Sequence, residues 1–191
     1  MAKLILASQS PRRQQLLNQI GLDFEIAPSN YKEDFSLELP PRELVQLFSQ
    51  EKARDITGKY PEHIIVAADT IVVLGKQILG KPETPDKAKE TLNRISGQKV
   101  TSITGVTVLK TPERQESSQI VETDIWIKEL TETEIDNYVA TEEPLDKAGA
   151  FAIQGTGALI TEKIEGSYSN VVGLPLLETY QILKKMGIKV I

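Results

Sequence analysis

Blocks of apolar residues alternate with amphipathic stretches along the chain and predict strands and helices in turn. The run Ile64–Leu74 is apolar, β-branched and nearly continuous, as is typical of a central strand buried on both faces. Lys3–Ala7 and Phe24–Ala27 predict two short strands, and Val100–Leu109 and Gln119–Lys128 predict two long ones. Three further strands are expected, at Gln77–Leu79, Leu159–Ile164 and Ile188–Ile191.

Helical spacing and capping residues predict five helices. They begin at Pro11 after an N-cap at Ser10, near Pro40-Pro41, at Thr84-Pro85, at the capping box of Thr131 and Glu134, and at Pro175. Loops are expected at Pro28–Pro40, Thr111–Ser118, Asp146–Gly157 and Glu165–Gly173. Because the two long strands are neighbours in sequence, the order is not purely βαβ. The pattern predicts an α/β protein with a mixed sheet flanked by helices.

Size and composition are those of one globular domain. The chain has 191 residues, of which 40% are hydrophobic and 26% charged, so we expect a single domain over residues 1–191, with two lobes. There is no Cys and a single His, His63, which excludes thiol catalysis and Cys-ligated metals and disfavours a Ser-His-Asp triad. Any metal must be held mainly by oxygen atoms, which favours Mg²⁺ or Mn²⁺.

Charge and hydropathy narrow the set of partners. The net charge of −5 argues against non-specific binding to nucleic acid. No segment approaches the ~20 apolar residues that a membrane helix needs, and the N-terminal apolar stretch is too short for a signal peptide. We therefore expect a cytoplasmic protein that binds neither nucleic acid nor membranes.

The segment Ser8–Arg13 joins a predicted strand to a helix and contains two arginines in the first helical turn. The N-terminus of a helix carries partial positive charge, so Arg12 and Arg13 are each expected to destabilise the helix by about 0.3–1 kcal/mol. An anion bound at this position would explain them, because arginine grips phosphate with two parallel hydrogen bonds. The alternative is a pair of solvated arginines.

Two charged residues interrupt apolar faces. Asp69 lies within the central strand, where a carboxylate is costly unless it is paired or binds a metal. A strand end that reaches water and a structural salt bridge are the alternatives. Lys52 lies four residues from both Phe48 and Ile56, on the apolar stripe of the second helix. It either faces a phosphate or covers apolar surface with its stem.

Three segments are rich in glycine or proline. Lys81 stands between Gly80 and Pro82, in a turn that would fix its position, and Asp146–Gly155 and Gly166–Pro175 either let backbone approach a ligand or form tight loops. No Walker A motif, GxGxxG fingerprint or GxSxG elbow is present. The sequence therefore lacks the motifs that are diagnostic of P-loop ATPases, Rossmann dehydrogenases and α/β-hydrolases, and these three classes are disfavoured.

Taken together, these segments resemble the Maf family of nucleoside triphosphate pyrophosphatases. The matching stretches are Ser8–Arg13, Glu51–Ala53, Ala68–Thr70, Gly80–Pro82, Asp146–Gly155 and Gly166–Leu176. The resemblance implies an elongated mixed sheet, two lobes and a central cleft, as in the inosine-triphosphatase group. It also implies hydrolysis of a nucleoside triphosphate to the monophosphate and pyrophosphate, a divalent metal and a homodimer.

The family divides at three positions, which here are Arg12, Thr70 and Gln154. The branch that acts on dTTP and UTP carries Arg, Thr and Gln, whereas the branch that acts on 7-methyl-GTP carries Trp, Gln and Glu. This chain therefore resembles the dTTP/UTP branch, with modified pyrimidine nucleotides as further candidates. A glutamine amide both donates and accepts hydrogen bonds, which suits the imide edge of uracil or thymine.

The resemblance also implies roles for individual residues. Asp69 is expected to be the general base or to position the attacking water, and Glu33 with Asp69 is expected to hold the metal. Ser8, Arg13, Lys52 and Lys81 would clamp the triphosphate, and Arg12, Thr70 and Gln154 would face the base or sugar.

Two other functions remain open. The protein could bind nucleotide with little turnover and regulate cell division, since proteins of this family have been linked to arrest of septum formation. It could also be an editing pyrophosphatase for damaged purine nucleotides.

Overall fold

A computed structural model describes residues 3–111, 113 and 115–191 of the chain. The strands of this part are β1 (Leu4–Leu6), β2 (Phe24–Ile26), β3 (Ile64–Leu74), β4 (Gln77–Leu79), β5 (Lys99–Lys110), β6 (Gln115–Ile127) and β7 (Thr161–Glu165). Its helices are α1 (Pro11–Gln19), α2 (Pro41–Asp55), α3 (Pro85–Ile95), α4 (Glu132–Ala140), α5 (Tyr168–Val172) and α6 (Leu176–Lys185). Within these described ranges, no helix combines the length and the apolar character needed to cross a membrane.

The strands form one mixed sheet in the order β2-β1-β3-β5-β6-β7, with β4 paired to β3. Strand β1 runs parallel to both of its neighbours, with Leu6 opposite Ile26 on one side and Val66 on the other. In contrast, β4 is antiparallel to β3, and β7 is antiparallel to β6. The predicted mixed α/β fold is therefore confirmed, and the cleft expected between two lobes stays a prediction.

The chain divides into two compact units. The first comprises the residues up to Asp69, Thr104–Val121 and Gly173–Ile191, and the second comprises Thr70–Ile103 and Glu122–Val172. Each unit has its own apolar core. The first core includes Ile5, Ala53, Ile56, Ile65 and Leu109, and the second includes Leu92, Ile95, Ile125, Tyr138 and Phe151.

Helix α2 lies directly against β5 because Gly105 has no side chain. A Cβ atom at Gly105 would lie 2.2 Å from the carbonyl oxygen of Val45, which is closer than atoms can approach. Beside this contact, the hydroxyl of Ser49 on α2 is 2.8 Å from that of Thr107 on β5, and both residues are buried. The backbone contact and the buried hydrogen bond fix the face that α2 turns to the sheet.

Two predicted segments and the starts of two predicted strands are wrong. Ile188–Ile191 forms no strand, and the hydroxyl of Tyr180 donates instead to the backbone oxygen of Ile191 at 3.0 Å. The expected loop Glu165–Gly173 contains α5, where the hydroxyl of Ser167 accepts from the backbone N–H of Asn170 at 3.3 Å. Strand β7 begins two residues later than expected. Strand β6 begins at Gln115, which shortens the loop predicted over Thr111–Ser118. Pro112 and Arg114 of that loop lie outside the described residues.

Candidate active site

The site in the first unit begins where the parallel strands β1 and β3 lie side by side. The backbone N–H of Ala7 continues the β1–β3 ladder by donating to the carbonyl of Val66 at 2.8 Å. Ser8 follows directly, and Asp69 lies three residues beyond Val66 on β3. Ligands of α/β proteins bind at the carboxyl ends of parallel strands, and Ser8 lies just beyond the carboxyl end of β1.

Arg13 lies in the first turn of α1, and its guanidinium is hydrogen-bonded to groups on either side. Its Nη1 donates to the hydroxyl of Ser8 at 3.2 Å, and its Nε donates to the carbonyl of Gly173 at 2.8 Å. Ser10 is the N-cap of α1, as predicted, but its side chain makes no capping bond. Its backbone N–H donates instead to the Ser8 hydroxyl at 3.2 Å. The hydroxyl of Ser8 thus accepts hydrogen bonds both from the backbone at the start of the helix and from the guanidinium of Arg13.

The surroundings of Arg13 place it in a mixed cluster of charges. Burial lowers the pKa of its guanidinium, the charge of Asp69 opposes that shift, Arg12 lowers the pKa further, and Glu33 raises it. Both carboxylates and both arginines therefore lie close enough to interact electrostatically. An anion bound here would replace the water that burial has removed from Arg13.

Lys52 bridges the two carboxylates of the site. Its Nζ lies 2.5 Å from Oε1 of Glu33 and forms a short ion pair with Oδ1 of Asp69. The side chains of Lys52 and Asp69 are only 12% and 9% exposed, whereas that of Glu33 is 36% exposed. The costly buried carboxylate noted in the sequence is thus compensated by the lysine on the apolar stripe of α2.

The polar loop 28–40 carries Glu33 and is tied to α2. Oδ2 of Asp55, at the end of α2, accepts a hydrogen bond from the hydroxyl of Ser29 at 2.9 Å and another from the N–H of Asn30 at 2.8 Å. These bonds lower the pKa of Asp55. Further along the loop, the ring of Phe35 packs edge-on against that of Phe48, with 5.3 Å between the centroids.

Sequence reasoning missed Asp55. The sequence feature that could have identified it is its position three residues after Lys52 on the same predicted helix, which follows the polar loop.

The pair of Glu33 and Asp69 fits a divalent cation. The two carboxylates converge on a single ammonium nitrogen, so the fold already holds one positive charge between them. Mg²⁺ is commonly bound by one or two carboxylates together with substrate phosphates and water. Among the residues that the structure describes, no cluster of three or more His, Asp or Glu side chains is arranged around a metal position.

Three of the expected site residues belong to the second unit. Thr70 follows Asp69 in β3, and Gln154 is the N-cap of a short 3₁₀ turn, Gly155–Leu159. Lys81 is exposed beside the buried Pro82, and the turn is tied by a hydrogen bond of 3.1 Å from the N–H of Gly149 to the carbonyl of Gly80. The first unit itself brings together Ser8, Arg12, Arg13, Glu33, Lys52 and Asp69.

Fold and site define an α/β protein in which cationic side chains and two carboxylates, Glu33 and Asp69, lie together beside the parallel strands β1 and β3. The sequence model described as "Maf-like protein" matches residues 3–186, and the chain belongs to that family.

Among its relatives, a protein from Methanosarcina mazei named dTTP/UTP pyrophosphatase is 47% identical over 191 residues, which is 100% of this chain and 97% of that protein. A protein of the same name from Methanococcoides burtonii is 48% identical over 191 residues, covering 100% of this chain and 98% of the relative. Among solved structures, a HAM1 protein from Coxiella burnetii matches 97% of this chain and 100% of its own with a TM-score of 0.47 and 16% identity.

Proposed function

We propose that this protein hydrolyses nucleoside triphosphates, with dTTP and UTP as preferred substrates, to the monophosphate and pyrophosphate. The observation that carries the proposal is the convergence of Glu33 and Asp69 on Lys52 beside the buried Arg13. Such a set provides cation-binding oxygens and phosphate-binding donors at one place. Relatives of nearly half-identical sequence over the full chain that are named dTTP/UTP pyrophosphatase support the same reaction.

The chemistry follows from the positions of the side chains. Because Lys52 donates to Oδ1 of Asp69, Oδ2 is the atom that takes a proton from the attacking water. The water oxygen bonds to the α-phosphorus, the bond from that phosphorus to the α,β-bridging oxygen breaks, and pyrophosphate leaves. Arg13, with Ser8 behind it, and Lys52 stabilise negative charge on the phosphates.

Glu33 and Asp69 would hold the divalent metal, Mg²⁺ or Mn²⁺. When bound, such a cation neutralises phosphate charge and lowers the pKa of water. Lys52 keeps the two carboxylates together and limits their mutual repulsion before the cation and the substrate arrive.

The remaining expected site residues complete the proposal. Lys81 is a further donor to the triphosphate, and Arg12, Thr70 and Gln154 face the base or sugar. In this proposal the whole chain works as a single catalytic domain, and a homodimer remains the expectation from the family. No observation favours the alternative of a nucleotide-binding regulator with little turnover.

The test is a substrate panel. Purified protein is incubated with each nucleoside triphosphate and Mg²⁺ or Mn²⁺, and monophosphate, diphosphate, orthophosphate and pyrophosphate are resolved. Pyrophosphate with dTMP or UMP, lost on addition of a chelator, is the expected result. Diphosphate with orthophosphate would mean attack at the γ-phosphorus, and tight binding without product would favour a nucleotide-binding regulator over an enzyme.

A further inference from the structure

The loop that carries Gln154 is closed by two side chains with no assigned role, Tyr138 and Glu143. Before Gln154, the backbone N–H of Ala152 donates to the hydroxyl of Tyr138 at 3.1 Å. After it, the N–H groups of Thr156 and Gly157 donate to Oε2 and Oε1 of Glu143 at 3.0 and 2.9 Å. The backbone is therefore anchored on both sides of Gln154.

The two anchors are joined to each other. The hydroxyl of Tyr138 donates to Oε1 of Glu143 at 3.1 Å, so one chain of hydrogen bonds runs from Ala152 to Gly157. Tyr138 is only 3% exposed, and burial together with the charge of Glu143 raises the pKa of its hydroxyl. The hydroxyl consequently keeps its proton and remains a donor.

The glycines of this loop make room for the two side chains. A Cβ atom at Gly155, where φ is +62°, would lie 2.5 Å from Oε2 of Glu143. A Cβ atom at Gly157 would lie 2.3 Å from the carbonyl oxygen of Ala152 and 2.6 Å from the hydroxyl of Tyr138. The small residues here thus permit a tight loop that packs against Tyr138 and Glu143. The sequence had left open whether this segment forms a tight loop or lets backbone approach a ligand, and these contacts are those of a tight loop.

We propose that Tyr138 and Glu143 are positioning residues for base selection, which hold the loop Ala152–Gly157 so that Gln154 is presented to the nucleobase in one place. This inference rests on the proposed function, because Gln154 discriminates between bases only if a nucleotide is the substrate. A side chain selects by hydrogen bonding only when its own position is fixed, since a mobile donor and acceptor adapts to the wrong base.

The test compares the ratio of kcat/KM for UTP to that for CTP in wild type, Tyr138→Phe and Glu143→Gln. Tyr138→Phe keeps the buried ring and removes both hydrogen bonds of the hydroxyl, and Glu143→Gln keeps the shape but replaces one acceptor oxygen with a donor. We expect the ratio to fall by roughly fivefold to tenfold in each variant, the effect of about one hydrogen bond. When either change is combined with Gln154→Ala, the ratio should equal that of Gln154→Ala alone.

Matched controls separate positioning from general damage. Tyr180→Phe removes a hydroxyl that donates to the backbone oxygen of Ile191, and Glu162→Gln changes an exposed carboxylate on β7. Both controls should keep the wild-type ratio. Folded Tyr138→Phe and Glu143→Gln proteins with an unchanged ratio would overturn the proposal, as would a further fall of the ratio in the Gln154→Ala background.

Amide hydrogen exchange on the wild-type protein gives a second measurement that needs no variant and no turnover. The amides of Ala152, Thr156 and Gly157 should exchange at least tenfold more slowly than in an unstructured peptide. Exchange at the unstructured rate would overturn the positioning role. If wild type released no pyrophosphate from any nucleotide, the proposed function would fall, and the exchange result would still decide whether the loop is held.

Discussion

At the scale of single residues, Asp69 has the most demanding environment. It is a carboxylate in a buried strand, and its ion-pair partner Lys52 is itself largely buried. Conversion to Asn keeps nearly the same shape and removes the charge. We expect Asp69→Asn to lower turnover by about 10²–10⁴-fold because the base is lost, while nucleotide binding survives. Steady-state kinetics and equilibrium binding of UTP measure the two effects separately, and turnover near the wild-type level would contradict the assignment.

Lys52 allows a test of the metal site that does not depend on activity. In Lys52→Met, Glu33 and Asp69 lose their shared counter-ion, and the free energy of unfolding should fall by about 3 kcal/mol. A divalent cation that binds both carboxylates would replace the ammonium. Magnesium should therefore raise the thermal midpoint of Lys52→Met more than that of the wild type.

The control for this prediction is Lys76→Met, which changes an exposed lysine in the turn between β3 and β4. Its midpoint should follow the wild type with and without magnesium. An identical response of Lys52→Met and wild type would show that the two carboxylates do not hold the cation.

At the scale of elements, α2 positions two parts of the site at once. It carries Lys52 on its inner face, and through Asp55 it holds the loop that carries Glu33. Asp55→Ala removes both of the hydrogen bonds to that loop. We expect the magnesium concentration for half-maximal activity to rise by about 10-fold, with kcat at saturating metal little changed. Asp23→Ala, at an exposed position, is the control, and an unaltered metal dependence in Asp55→Ala would refute the role of the tether.

The capping box of α4 predicts how stability depends on pH. The ion pair with Lys128, together with bonds from Thr131, lowers the pKa of Glu134 to about 2. Since this folded-state value lies below the unfolded value of about 4.3, the contribution of Glu134 is complete above pH ~4.3. It is lost as the pH falls through the folded value. Between pH 5 and 2, the thermal midpoint of wild type should therefore fall more steeply than that of Glu134→Gln.

The control for this pH dependence is Glu132→Gln, an exposed change in the same helical turn. It should retain the steep fall of the wild type. Parallel curves for wild type and Glu134→Gln would show that the ion pair contributes nothing to folding.

At the scale of the whole molecule, the close approach of α2 to β5 at Gly105 determines whether the site forms. A methyl group in Gly105→Ala would overlap the backbone of Val45, so the helix must move off the sheet. We expect a loss of about 1–3 kcal/mol in the free energy of unfolding and a parallel loss of activity, because Lys52 moves with α2. Chemical denaturation measures the first effect. Gly58→Ala, where a Cβ meets open space, should be neutral, and a fully stable and active Gly105→Ala would refute the argument.

Much of the fold followed from local chemistry. The nearly continuous apolar run predicted β3 with its observed ends, and Pro11, Thr84-Pro85 and the capping box at Thr131 located three helix starts, because those signals act within a single helical turn or strand. The predictions were wrong where contacts with residues distant in sequence determine the secondary structure. Helix α5 forms where the side-chain amide of Asn170 donates to the carbonyl of Ser102 at 3.2 Å and to the hydroxyl of Thr123 at 2.9 Å, and both partners are remote in sequence.

The sequence by itself determined the alternation of strands and helices, the absence of cysteine as a metal ligand or nucleophile, and the charged residues within apolar faces. Those features depend on composition and on short-range periodicity. The tertiary structure alone decided that Lys52 pairs with Glu33 and Asp69, that Asp55 tethers the loop of Glu33, and that Tyr138 and Glu143 close the loop of Gln154. Each of these contacts joins groups on separate elements or loops, and only packing sets the distance between such groups.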